Sequence, residues 1–195
     1  MAPRRVLAAV ITSLLAIAVL AGCSQSPDYN SSGTTGYVSG SGAFDEIKPA
    51  DRMKPVVFTA KLDTGKTITS ADLLGRVHVM NFWYAGCGPC IKEAPLLEKV
   101  YKSYDGTIPF VGVNTYDQAG TALAFESHLG ITYPSVIDVN TVSVEFAFSK
   151  SIPANAVPTT LVIDKHGRVA ARVTGELTDP SILKSLIATV VSEGQ

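Results

Sequence analysis

From about Lys54 to Val191 the apolar positions switch repeatedly between two spacings. Val77–Trp83 and Ile108–Asn114 are apolar on both faces, which predicts central strands buried in a parallel or mixed sheet. Cys90–Tyr104, Ala119–Leu129 and Thr141–Phe148 read instead as helices. Leu177–Val191 reads as a final helix, with Ile182, Leu183, Leu186 and Val190 on one stripe. Val56–Ala60 and Ser135–Asp138 are shorter strand candidates, Asp63-Thr64-Gly65-Lys66 is a turn, and Ser70–Gly75 is a capped turn closed by glycine. Thr159–Ile163 and Val169–Val173 flank Asp164-Lys165-His166-Gly167, a hairpin signal. Strands alternating with helices, then a hairpin and a terminal helix, predict an α/β three-layer domain.

Upstream the pattern changes in kind. Met1–Arg5 carries two arginines and no acid, and Val6–Leu20 is interrupted only by Thr12 and Ser13. A basic start, a short apolar run and small residues before a cut describe a secretory signal peptide, placed at residues 1–22. Fifteen residues fall short of a hydrocarbon core about 30 Å thick, which counts against an uncleaved transmembrane anchor. Leu20-Ala21-Gly22-Cys23 resembles a bacterial lipobox, which implies a lipid on Cys23 and attachment to the outside of the cell membrane. Cleavage after Ala16-Ile17-Ala18 would instead release a soluble, secreted product. Ser24–Ala43 holds 12 Ser, Thr or Gly in 20 positions, too little apolar surface to offset its ordering entropy. Residues 23–50 are therefore expected to be the lipidated start and a flexible tether, and residues 51–195 the folded domain. Twenty such tether residues reach about 25 Å.

Composition narrows the function. With 16 Lys+Arg against 17 Asp+Glu, the 195-residue chain lacks the basic excess of a nucleic-acid binder. Its three cysteines are too few for a disulfide-stapled scaffold or a Cys₄ zinc site.

Two of the three stand at Cys87-Gly88-Pro89-Cys90, between a predicted central strand and the next helix. Cysteines at this spacing across a strand-to-helix turn can close a small disulfide ring. Gly88 permits the turn, and Pro89 suits the first turn of a helix because it lacks an N–H. Cys87 falls at the helix N-terminus, where unpaired amides favour a thiolate, while Cys90 faces inward and should be the less exposed. That arrangement suits thiol–disulfide exchange. Three other readings stand beside it. A structural disulfide usually joins distant parts of a chain. Half a zinc site needs further ligands, and His78, His128 and His166 show no ligand spacing, so no metal is expected. A peroxidatic cysteine would want Thr where Tyr84 stands.

The whole segment resembles the active site of the thioredoxin fold, and within it the membrane-tethered TlpA/ResA-like thiol–disulfide oxidoreductases. The likeness covers about residues 54–192 and includes Val77-His-Val-Met-Asn-Phe-Trp83, Cys87-Gly-Pro-Cys90, Glu93-Ala94-Pro95, Val111-Gly-Val-Asn114 and Val157-Pro158-Thr159-Thr160. It implies a thioredoxin-like three-layer sandwich with a central mixed sheet, Cys87 as attacking thiolate and Cys90 as resolving thiol. It also implies a cis bond before Pro158, with Val157, Pro158 and Thr159 meeting the substrate backbone and Trp83 retained beside the pair. No cofactor beyond the redox disulfide is implied. Partners would be thiol or disulfide proteins and an extracytoplasmic or membrane electron donor. The leading role is reduction, for example of apocytochrome c thiols, with net oxidation of secreted proteins as the runner-up. A non-catalytic binding module and a metallochaperone are further alternatives.

Glu93 stands out on residues alone. Helical spacing from Cys90 puts it on the apolar stripe of Ala94, Leu97, Val100, Tyr101 and Tyr104, away from Lys92, Glu98, Lys99 and Lys102. A lone carboxyl there should have a raised pKa and could exchange protons with Cys90. Two departures bear on this. Many thioredoxins carry a buried Asp where this chain has Asn81, which cannot shuttle a proton, so the case for Glu93 strengthens. The residue before the first cysteine is commonly Trp and is Gly86 here, which is expected to open the surface around Cys87. Pro95 is expected to kink the helix.

Overall fold

The computed structural model describes residues 35–36, 43–153 and 156–193; the expected signal peptide, the expected lipid site Cys23 and most of the expected tether lie outside them. In chain order the elements are β1 (Thr35–Gly36), β2 (Ala43–Glu46), β3 (Thr59–Lys61), β4 (Thr67–Thr69), a 3₁₀ turn (Ser70–Leu73), β5 (His78–Trp83) and α1 (Gly88–Ser103). They continue with β6 (Phe110–Asn114), α2 (Ala119–Leu129), β7 (Ser135–Ile137), α3 (Ser143–Phe148), β8 (Thr159–Ile163), β9 (Val169–Thr174) and α4 (Pro180–Ser192).

The main sheet runs β1-β2-β9-β8-β5-β6-β7. β5, β6 and β7 are parallel, and β8, β9, β2 and β1 add antiparallel pairs. Every residue of β5, β6 and β8 is buried, as strands covered on both faces must be. Alternation along β5 divides the core. Val79 packs with Leu97 and Val100 of α1 and Leu183, Leu186 and Ile187 of α4. Met80 and Phe82 pack on the other face with Val144 and Phe148 of α3, Ala60 of β3 and Ile68 of β4. The fold is the expected thioredoxin-like sandwich with a mixed sheet.

Three boundaries differ from expectation by three residues or more. The sheet reaches upstream of residue 51, because Ala43–Glu46 pairs with the outer edge of β9, Phe44 packs on the core and Asp45 pairs with Arg172. An open strand edge and one well-placed aromatic outweigh the surrounding Ser/Gly content. The strand expected at Val56–Ala60 is Thr59–Lys61; Val57 is exposed, and Phe58 and Ala60 are the buried residues. The last helix starts at Pro180, because Asp179 caps it by accepting from Ser181 N (2.8 Å) and Pro180 occupies its first turn. Leu177 is left in the preceding loop, buried.

Candidate active site

β5 ends at Trp83, and four residues later Cys87 caps α1, with Pro89 in the helix's first turn. Cys87 and Cys90 form a disulfide with an S–S distance of 2.08 Å and a Cα–Cα distance of 5.2 Å. The Cys90 backbone N–H donates to Cys87 Sγ at 3.2 Å. In the reduced protein the same amide, with the helix dipole behind it, favours negative charge on Cys87. The expected contrast in exposure is absent from this disulfide form, since Cys87 is 3% and Cys90 2% accessible.

The cover over Cys87 explains that correction. The Tyr84 ring, 3.6 Å from where a Gly86 Cβ would stand, packs against the cluster that holds Cys87, while Gly86 itself is exposed. Tyr84, Ala85 and Val157 all pack against the cluster of Trp83, Cys87, Cys90 and Ala122. The approach to Cys87 is pinned from the next strand. Asp117 Oδ2 accepts from Ala85 N (2.6 Å) and Asn114 Nδ2 (3.0 Å), while Asn114 Oδ1 accepts from Tyr116 N and Asp117 N. Sequence reasoning missed Asp117; an acid three residues after a strand-ending Asn was the available signal.

Trp83 stacks on Phe125 of α2, centroids 4.4 Å apart. Its indole nitrogen lies 2.7 Å from where a Cβ on Gly112 would sit, so β6 must carry glycine there. Gly88 and Pro89 are exposed beside the disulfide.

Glu93 lies one helical turn from Cys90 and is 1% exposed. Its Oε1 accepts from Asn81 Nδ2 and its Oε2 from Leu177 N, both at 2.8 Å. Asn81 also donates to Thr160 Oγ1 at 3.0 Å, tying β5, β8 and α1 together. Burial pushes the Glu93 carboxyl from 4.5 up to about 7, against the two hydrogen bonds that favour its ionised form. It is thus a fully partnered, buried group that can hold or release a proton near neutrality. Glu98, expected on the polar side of the same helix, is also buried, accepting from Thr132 N (3.0 Å) and Thr132 Oγ1 (2.6 Å).

The Val157–Pro158 bond is cis. Pro158 is buried, and its carbonyl accepts from Gly175 N at 2.9 Å. Thr159, expected to meet substrate, is closed off: it is 0% exposed, pairs with Phe82 and Thr174, and donates its hydroxyl to Ala156 O at 2.6 Å. Of the three residues only Val157 retains exposure.

Residues 48–187 match the family described as Redoxin. Among curated relatives, Thiol-disulfide oxidoreductase ResA of Halalkalibacterium halodurans is 30% identical over 119 residues, 60% of this chain and 65% of that protein. The chain thus spans just under two thirds of that relative's length. Thiol:disulfide interchange protein HelX of Rhodobacter capsulatus is 31% identical over 140 residues, 70% of this chain and 74% of that protein. Among solved structures, a DsbF homologue from Corynebacterium diphtheriae superposes with a TM-score of 0.66 at 26% identity, covering 80% of this chain and 99% of that one.

Proposed function

The chain belongs to the Redoxin family, and from that premise we propose that it is an extracytoplasmic thiol–disulfide oxidoreductase that reduces disulfides in partner proteins. One observation carries the reading: a Cys87–Cys90 disulfide caps a helix N-terminus, packed against Val157 of the cis-proline loop, with the buried carboxyl of Glu93 one turn away. Relatives named thiol-disulfide oxidoreductase and thiol:disulfide interchange protein support it.

The chemistry balances with two electrons and two protons. In the reduced protein the Cys87 thiolate attacks one sulfur of the partner's disulfide. That S–S bond breaks, a Cys87–partner bond forms, and the departing partner sulfur takes a proton. Cys90 loses its proton to ionised Glu93 and attacks Cys87 Sγ, expelling the second partner thiolate, which is protonated in turn. The partner leaves as a dithiol and the protein as the Cys87–Cys90 disulfide. A donor protein carrying a dithiol then reverses these steps at the same pair. Apocytochrome c, whose cysteines must be reduced, is the substrate class favoured by the ResA-like resemblance. A lipid on Cys23 would hold the domain at the membrane; no helix among the described residues is long and apolar enough to cross one.

Insulin-disulfide reduction tests the reading. Cys87→Ser should abolish turnover, and Cys90→Ser should accumulate mixed disulfides on Cys87. Wild-type turnover in both variants would refute it.

A further inference from the structure

The β7 edge of the main sheet carries an acidic pair that the redox chemistry does not use. Asp63, in the turn between β3 and β4, lies against that edge. Its N–H donates to Ser135 O at 2.8 Å, and its Oδ2 accepts from Ser135 N at 3.2 Å. The neighbouring Leu62 and Val136 form a β-bridge that holds the turn in place. Glu126 reaches the same point from α2, where Asp63 and the Ser135 hydroxyl are its polar neighbours. Among the described residues neither acid has an ion pair.

What this cluster lacks is a donor. Glu126 is 6% and Ser135 0% exposed, yet Glu126 Oε1 and Ser135 Oγ make no hydrogen bond among the described residues. The other buried side-chain atom in that condition, Arg172 Nε, is on β9, across the sheet. Buried oxygens are rarely left bare, because desolvation without a partner is costly. Two carboxylates side by side in a buried place also need positive charge between them. A proton shared by the acids would answer the charge but leave the Ser135 oxygen unused, whereas a cation engages all three side chains. Their donors are hard oxygens, which suit magnesium or calcium; zinc prefers sulfur and imidazole.

We propose that Asp63, Glu126 and Ser135 hold a divalent cation of the magnesium and calcium class, with water completing its coordination. The ion pins the β3–β4 turn and α2 to the edge of β7. So few protein ligands give a modest affinity, with a Kd on the order of 1 mM. The site also adjoins the redox centre. A Cβ on Gly112 would stand 2.1 Å from Ser135 Oγ and 2.7 Å from Trp83 Nε1, so the hydroxyl and the indole edge are neighbours. Trp83 packs with Cys87 and Cys90 and is the single tryptophan of the chain. Its fluorescence therefore reports on the ion.

The test uses the disulfide form of the protein, first freed of metal with EDTA, then titrated with CaCl2 or MgCl2 at constant ionic strength. At least one of the two ions should raise Tm by about 4 °C at roughly 10 mM. Trp83 fluorescence should change with a midpoint on the order of 1 mM, and EDTA should reverse both effects. Glu126→Gln relieves the like-charge contact, so it should fold as well as the wild type in EDTA yet gain nothing from either ion. Asp63→Asn keeps an oxygen for Ser135 N and should likewise lose the response. Ser135→Ala removes an unpartnered hydroxyl, so its Tm in EDTA should be unchanged while its midpoint rises about fivefold. Four results would overturn the proposal. They are no response of the wild type to either ion, an equal response to NaCl alone, a response that survives in Glu126→Gln, and an unchanged midpoint in Ser135→Ala. The first of these, with a Tm that rises on acidification in the wild type but not in Glu126→Gln, would assign the pair a shared proton instead.

Discussion

Glu93 on α1 and Glu126 on α2 are both buried acids whose carboxyls burial pushes upward, yet their surroundings differ. Glu93 stands one turn from Cys90, with both oxygens occupied by Asn81 and Leu177. Glu126 lies near the β7 edge beside Ser135 and Asp63, and its Oε1 makes no hydrogen bond among the described residues. The Asp63 charge adds to burial in raising it. A perturbed carboxyl is therefore not a mark of chemistry by itself. The distinguishing features of Glu93 are its thiol neighbour and a full set of donors that stabilise the ionised form the proposed proton transfer requires.

The comparison can be broken or sharpened by measurement. The largest effect should be on stability. Glu93 stays protonated in the folded protein to about pH 7 but ionises near 4.5 when unfolded. Stability should therefore fall as pH rises through that window and level off above it, by on the order of 3 kcal/mol. Chemical denaturation of Glu93→Gln across the same range should show the fall reduced by that amount. An equal fall in the variant would mean the carboxyl titrates normally.

Next comes rate. Resolution of the mixed disulfide by Cys90 should quicken as pH rises through about 7. In Glu93→Gln it should be about a hundredfold slower at neutral pH, recovering only where a thiol ionises unaided. Stopped-flow measurement of thiol release reads this directly. Glu126→Gln should leave that pH profile in place and add on the order of 1 kcal/mol of stability above neutrality, by removing a buried like-charge contact. A shifted rate profile in Glu126→Gln would erase the distinction between the two acids. The smallest effect should come from Asn81→Ala: losing a donor to Oε1 disfavours the carboxylate, so the rate inflection moves to higher pH.

Much of this site was legible because its signals are local. Cys87, Cys90 and Pro89 sit within four residues, and Glu93 betrayed itself by falling on an apolar stripe. What stayed hidden depends on long-range partners. Glu98 falls outside the apolar stripe by helical spacing, but Thr132, thirty-four residues away, buries it with two hydrogen bonds. Thr159 read as a substrate contact, yet strands on both sides close it off. β2 was masked by Ser and Gly because its order comes from the edge of β9, not from its own composition.

The central claim, that this pair delivers electrons to partner disulfides, is tested most directly by the reduction potential of the Cys87–Cys90 couple, measured by equilibration with glutathione or a dithiol of known potential. The account predicts a value near or below roughly −220 mV, in the range of reducing thioredoxin-type proteins. A value above roughly −150 mV, close to that of strong disulfide donors, would contradict it.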